Sequence, residues 1–191
     1  MKTLVLALTE DEATYIRRIG RDRFYSNLAR GSPVNDPVGE TDAELIHKDV
    51  CGFAAEFKAA QHYGTQCDPR IGKGLDPGYD ILIAGLGVGV KARVRPHYDE
   101  LLIAKYRWPL KAACHALLMA RVNWPRTVEI CGWVTKDRFV REHRLREFRK
   151  EWGKTRVMHI SRLNPYDTLK PMLELMADGW RVFWPSSDAV V

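Results

Sequence analysis

Apolar and polar positions change period several times along the chain, and each change predicts an element. Thr9-Glu10-Asp11-Glu12 has the form of a capping box, in which the Thr hydroxyl and the Glu carboxylate satisfy orphan amides reciprocally. It opens a helix over 10–30 that stops at Gly31 and carries Arg17, Arg18, Arg21, Arg23 and Arg30. Two prolines and a glycine make 32–40 a loop. A second helix spans 42–63, with Phe53, Phe57 and Ala60 at helical spacing on its core side and Gly64 as its stop. The chain from Thr65 to Gly78 is turn-rich. Strands are predicted at 80–84 and 88–94, joined as a hairpin through Gly85-Leu86-Gly87, and at 100–106. The apolar run 114–122 suits either a strand or a buried helix. After the turn Asn123-Trp124-Pro125-Arg126, 127–134 is a strand, and Thr135 caps a basic helix to about Lys150. Met172, Leu173, Leu175 and Met176 mark a last short helix. Helices, then clustered strands, then helices predict one mixed α/β (α+β) domain with a central mixed sheet flanked by helices.

Composition narrows the class. A chain of 191 residues can bury a full core without disulfides or metal staples. With 28% charged and 10% aromatic residues it is neither disordered nor of low complexity. No apolar run is long enough to cross a membrane as a helix. The opening Lys2-Thr3-Leu4-Val5-Leu6-Ala7-Leu8 imitates a signal peptide but meets Glu10, Asp11 and Glu12 too soon, so a cytoplasmic protein is expected. Cys51, Cys67, Cys114 and Cys131 form no Cys-x-x-Cys and are expected as free thiols. A net charge of +6 permits nucleic-acid binding without requiring it.

The hairpin is where chemistry concentrates. With Gly85-Leu86 as its turn, Leu82 faces Gly89 and Asp80 faces Lys91, and all four share one sheet face. A plain cross-strand ion pair is one reading of Asp80 and Lys91. Glu56 offers another. It follows Phe53 by three residues and precedes Ala60 by four, so it leans to the core side of its helix. A carboxylate there needs a partner or a metal. Either it finds a cap or salt bridge elsewhere, or Glu56, Asp80 and Lys91 converge.

Three segments carry a family resemblance: Gly52-Phe53-Ala54-Ala55-Glu56, Gly78-Tyr79-Asp80-Ile81-Leu82-Ile83 and Val88-Gly89-Val90-Lys91-Ala92-Arg93. In order and spacing they resemble the core of the PD-(D/E)XK nuclease superfamily. That core has a helix bearing a Glu, a strand starting at an Asp, and a strand with an acidic-x-Lys motif. The resemblance extends over about 42–140, favours strand at 114–122, and looks most like phage-type members. It implies a restriction-endonuclease-like single domain over 1–191, with an N-terminal helix at 10–30 and a C-terminal helical extension over 135–191. It also implies a magnesium- or manganese-dependent endonuclease acting on DNA, with RNA as the alternative substrate, in the host cytoplasm if phage-encoded, and it allows a homodimer. Asp80 would be the central metal ligand, Glu56 a second ligand, the Val90 carbonyl a third, and Lys91 the catalytic lysine. Acidic ligands hold the cation that polarises phosphate and activates water, and the lysine stabilises phosphate charge.

One position departs from the pattern: Gly89 stands where the second acid is expected. Three readings follow. Glu56 compensates; or the fold binds nucleic acid without cutting it; or Asp76 or Asp99 supplies the missing carboxylate. A basic interaction or inhibitor protein is the rival from another class. Arg93 and Arg95 beyond Lys91, with His97 and Tyr98 in the next loop, are the candidate nucleic-acid contacts. The stretch 136–156, with nine Lys or Arg against four Asp or Glu, is either a second phosphate-tracking surface or a solvated face. Tyr106 and Trp108 around Arg107, near Lys105, suit nucleic acid; the other tryptophans are expected in packing, and His115 in a structural role on its strand. No Gly-Lys-Ser/Thr is present, and Gly85-x-Gly87-x-Gly89 has its third glycine too early for a dinucleotide loop.

Overall fold

The computed structural model describes residues 2–29, 41–67, 78–94, 99–103, 110–147 and 154–180. Its elements run β1 (Leu4–Ala7), α1 (Glu10–Ala29), α2 (Asp42–Tyr63), β2 (Ile81–Ile83), β3 (Leu86–Arg93), β4 (Glu100–Ile103), β5 (Cys114–Asn123), β6 (Thr127–Thr135), α3 (Lys136–Glu142), β7 (Arg144–Glu147), β8 (Lys154–His159) and α4 (Leu169–Ala177). The fold is mixed α/β. Five strands form a curled mixed sheet in the order β1-β6-β5-β3-β2, in which only β3 and β5 are parallel. The strands β4, β8 and β7 form a second, antiparallel sheet.

Two apolar layers hold these parts together. On one side of the large sheet, Ile16 and Ile19 of α1, Phe53, Ala54 and Ala55 of α2 and Leu169 and Leu173 of α4 pack on Ile81, Val88, Val90 and Leu118. On the other side, Leu117, Met119 and Val134 meet Leu101 and Ile103 of β4, Phe139 of α3 and Met158 of β8. Having both faces covered explains why β5 reads as a continuous apolar run rather than an alternating one. The ambiguous segment is therefore a strand.

The first two helices start as expected. Thr9 N–H donates to Glu12 Oε2 at 2.9 Å and Glu12 N–H to Thr9 Oγ1 at 3.2 Å. Thr41 and Glu44 repeat the capping box on α2, and Gly64 closes it in the left-handed conformation at φ 68°. The helices run in opposite directions. Glu12 on α1 takes hydrogen bonds from Lys58 and Gln61 late in α2. Eight residues further along α1, Gly20 lies against Val50 so closely that a Cβ there would sit 2.6 Å from the Val50 Cα. This approach brings the facing side chains of the two helices within reach of one another.

Two expectations are corrected. The hairpin turns at Ala84-Gly85, both at positive φ (50° and 76°), and not at Gly85-Leu86. Ile83 then faces Leu86 and Leu82 faces Gly87. The opposing position has moved by two residues, which preserves the side-chain faces because their period is two. The basic helix after Thr135 ends at Glu142, well short of Lys150. Arg144 to Glu147 pairs instead with β8, so the C-terminal extension is part sheet. Pairing with a strand already anchored on the core outweighs the helix propensity of an Arg-Leu-Arg-Glu run. The apolar start, to which the sequence reading gave no element, is an edge strand, with Leu4 facing Ile130 and Ala7 facing Thr127.

Candidate active site

Asp80 lies one residue before β2, and its backbone N–H still donates to the Val88 carbonyl at 2.9 Å. The ladder's first registered pair is Ile81 with Val88. Further along β3, at Val90, the strand edge has run past the start of β2. The Asp80 carboxylate takes over there: Oδ2 accepts the Val90 N–H at 2.6 Å. It also accepts from Lys91 Nζ at 3.3 Å. The ammonium donates in addition to the Val90 carbonyl at 3.1 Å. Asp80, Val90 and Lys91 thus form one hydrogen-bonded knot at the open edge of the hairpin. The expected meeting of Asp80 and Lys91 is present, reached through a different register.

Glu56 is carried by α2. Its side chain is only 14% exposed, and Oε2 accepts from Arg23 Nη1 at 2.8 Å. Burial pushes its carboxyl up to about 7, and the Asp80 charge adds to that; Arg23 and Lys91 pull in the other direction. The helix α2 packs on β2 and β3, the hairpin at whose edge Asp80 and Lys91 meet. Phe53 and Glu56 are three apart on α2 and lie side by side. The Arg23 guanidinium covers both, with its centre 4.5 Å from the Phe53 ring centroid.

Arg23 is the member that sequence reasoning missed. It appeared only as one of several arginines on α1, and it lies 33 residues from its partner. Burial separates it: Arg17, Arg18 and Arg21 are exposed, whereas Arg23 is half-buried. Cys114 is a second omission. Its buried thiol lies beside Gly89, and burial raises its pKa while the Lys91 charge opposes the rise.

At Gly89 a Cβ would meet Leu117 Cδ2 at 3.3 Å, Cys114 Sγ at 3.4 Å and Lys91 Nζ at 3.5 Å. A side chain at this position would therefore point at the site, beside the lysine. Asp99 does not supply the missing acid, because its carboxylate pairs with Arg121, which also holds Glu129 at 3.2 Å. Asp76 lies outside the described residues. Among the described residues no group of three or more His, Cys, Asp or Glu side chains is arranged to hold a metal ion. What the site offers a cation is two carboxylates and the Val90 carbonyl. Among the described residues nothing donates to Asp80 Oδ1. Such a set suits one hard divalent ion that keeps part of its water shell.

Of the candidate nucleic-acid contacts, Arg93 is half-buried at the end of β3, in register with Arg121 on β5. Arg95, His97 and Tyr98 lie outside the described residues, as do Lys105, Tyr106, Arg107 and Trp108. His115 has the structural role expected of it, with Nδ1 accepting the Gly87 N–H at 3.2 Å. Trp133 is fully buried, whereas Trp180 is 69% exposed and does not pack as expected. Among the described residues no helix is long and apolar enough to cross a membrane. No protein-family model, curated protein or solved structure matches the chain.

Proposed function

We propose that the protein is a divalent-cation-dependent nuclease acting on DNA phosphodiester bonds at the Glu56, Asp80 and Lys91 site. The observation that carries the reading is the knot at the hairpin edge: one carboxylate joined to the strand backbone and a lysine, beside a helix whose Glu56 carboxylate is largely withdrawn from water. Carboxylates with raised pKa values cluster at functional sites. Asp80, Glu56 and the Val90 carbonyl would hold magnesium or manganese, which when bound polarises the phosphate and lowers the pKa of water. Lys91 stands beside Asp80, where its ammonium meets the negative charge that builds on the phosphoryl oxygens. The half-buried Arg93, two residues further on the same strand, extends the positive charge along the path of a phosphate backbone. The resemblance in motif order adds to this reading.

Gly89 favours a second reading, in which the fold binds nucleic acid without cutting it. Plasmid and single-stranded DNA, incubated with magnesium, manganese or chelator, separate the two. Metal-dependent cutting that is lost in Lys91→Ala and Asp80→Ala, with both variants folded, is the expected result. Cutting retained by Asp80→Ala would refute the role given to that residue. No cutting with either metal, but salt-sensitive binding in the same samples, would establish the second reading. A homodimer, which many two-strand cuts require, is tested by sedimentation of the same protein.

A further inference from the structure

Among the described residues, each carboxylate of the site already holds a cation. Asp80 is paired with Lys91 and Glu56 with Arg23, so two carboxylates face two cations. A third carboxylate at position 89 would have left an excess of negative charge for a divalent ion; Gly89 removes it. Arg23 is also built into place. A helical side chain leans towards its own N-terminus, which on α1 is the direction of the Gly20–Val50 contact and of the oppositely running α2. The guanidinium lies over the fully buried Phe53 and ends on Glu56. An ion that takes Glu56 as a ligand must therefore work against a positive charge already bound to that carboxylate.

Resting on the nuclease reading above, we infer that Arg23 is a positioning residue that competes with the divalent ion for Glu56. It holds the carboxylate neutralised in the ion-free protein and sets how weakly the site takes up the cation alone. Two positive charges placed within a few ångströms repel, so removal of the guanidinium raises cation affinity by at least about tenfold. The charge, not the shape, carries the effect, so a lysine at position 23 preserves it.

The test is manganese binding to the intact protein at pH 8, read from the paramagnetic resonance signal of the free ion. Wild type, Arg23→Gln, Arg23→Met, Arg23→Lys, Glu56→Gln, Asp80→Asn and the Arg23→Gln/Glu56→Gln double variant are compared, each checked for folding by circular dichroism. Arg23→Met keeps an unbranched stem over Phe53 and serves if the glutamine variant does not fold. The neutral variants are expected to bind manganese about tenfold or more tightly than wild type, and Arg23→Lys close to wild type. The gain is expected to vanish when Glu56 is also replaced. Equal or weaker binding in the neutral variants, or a gain that persists without Glu56, overturns the inference while leaving the metal site intact. If no protein in the set takes up manganese, or Asp80→Asn binds it as wild type does, the nuclease reading falls and this inference with it.

Discussion

Glu56 should make the protein less stable as the pH rises, and replacing it should remove that loss. Its carboxyl is pushed from the ordinary 4.5 up to about 7, first by burial and then by the Asp80 charge. A group whose folded pKa is raised binds its proton more tightly in the native state. Its stabilising contribution is therefore complete below the unfolded value and is lost as the pH rises through the folded one. The window runs from about pH 4.5 to about pH 7. At about 1.4 kcal/mol per pH unit, the shift corresponds to roughly 3 kcal/mol. Glu56→Gln cannot ionise and escapes this loss. It also leaves Arg23 without its anion, a cost that does not vary with pH at this site because an arginine stays charged throughout.

Urea unfolding of wild type and Glu56→Gln at pH 4.5, 6 and 8 measures the effect as a difference between the two proteins, which cancels most titrations elsewhere in the chain. The variant should gain on wild type by about 3 kcal/mol between the lowest and highest pH. A difference that stays flat within a few tenths of a kcal/mol would refute the reasoning: Glu56 would then not be held in a buried field of like charge. Magnesium at saturating concentration should restore wild type at pH 8, by about 3 kcal/mol at a hundredfold excess over its dissociation constant, and leave Glu56→Gln unmoved.

Gly89→Glu should bind manganese more tightly than wild type, by about tenfold. The atoms a Cβ would touch are side-chain ends that can give way, and calorimetric titration at pH 8 checks the affinity. Gly20→Ala should cost about 1–3 kcal/mol in urea unfolding, because its Cβ would strike the Val50 backbone, and an unchanged midpoint would show that the helices do not cross there. Burial alone would raise the Glu12 carboxyl, but the bonds from Thr9, Lys58 and Gln61 outweigh it and lower the pKa overall. Glu12→Gln should therefore lose stability at pH 7, and the difference from wild type should shrink as the pH falls through the folded pKa of Glu12, which unfolding curves at pH 3 and pH 7 will show.

The parts of this site that could be read from the sequence are those governed by short periods. Asp80 and Lys91 were brought together despite a wrong turn assignment, because moving the opposing position by two residues leaves every side chain on its own face. The capping box at Thr9 is likewise local, completed within four residues. Of the second sheet, β4 was legible and β7 and β8 were not. Arg144 to Glu147 carries a helical composition, and only its pairing with β8, anchored on the core through Val157 and Met158, makes it a strand. Nor was Arg23. Its role depends on where α1 crosses α2, a crossing determined by Gly20 against Val50 and not by any spacing around residue 23.

The same contrast bears on Gly89. Judged by motif, it is a gap in an acidic set. In the fold, among the described residues, the two carboxylates near the gap each already hold a cation, Arg23 on Glu56 and Lys91 on Asp80. Arg23 is half-buried against Glu56, and parting it from that carboxylate would itself carry a cost. If the gain from Gly89→Glu grows beyond about tenfold once Arg23 is also neutral, the two positions form one electrostatic unit. The same gain with and without Arg23 would show that they act independently.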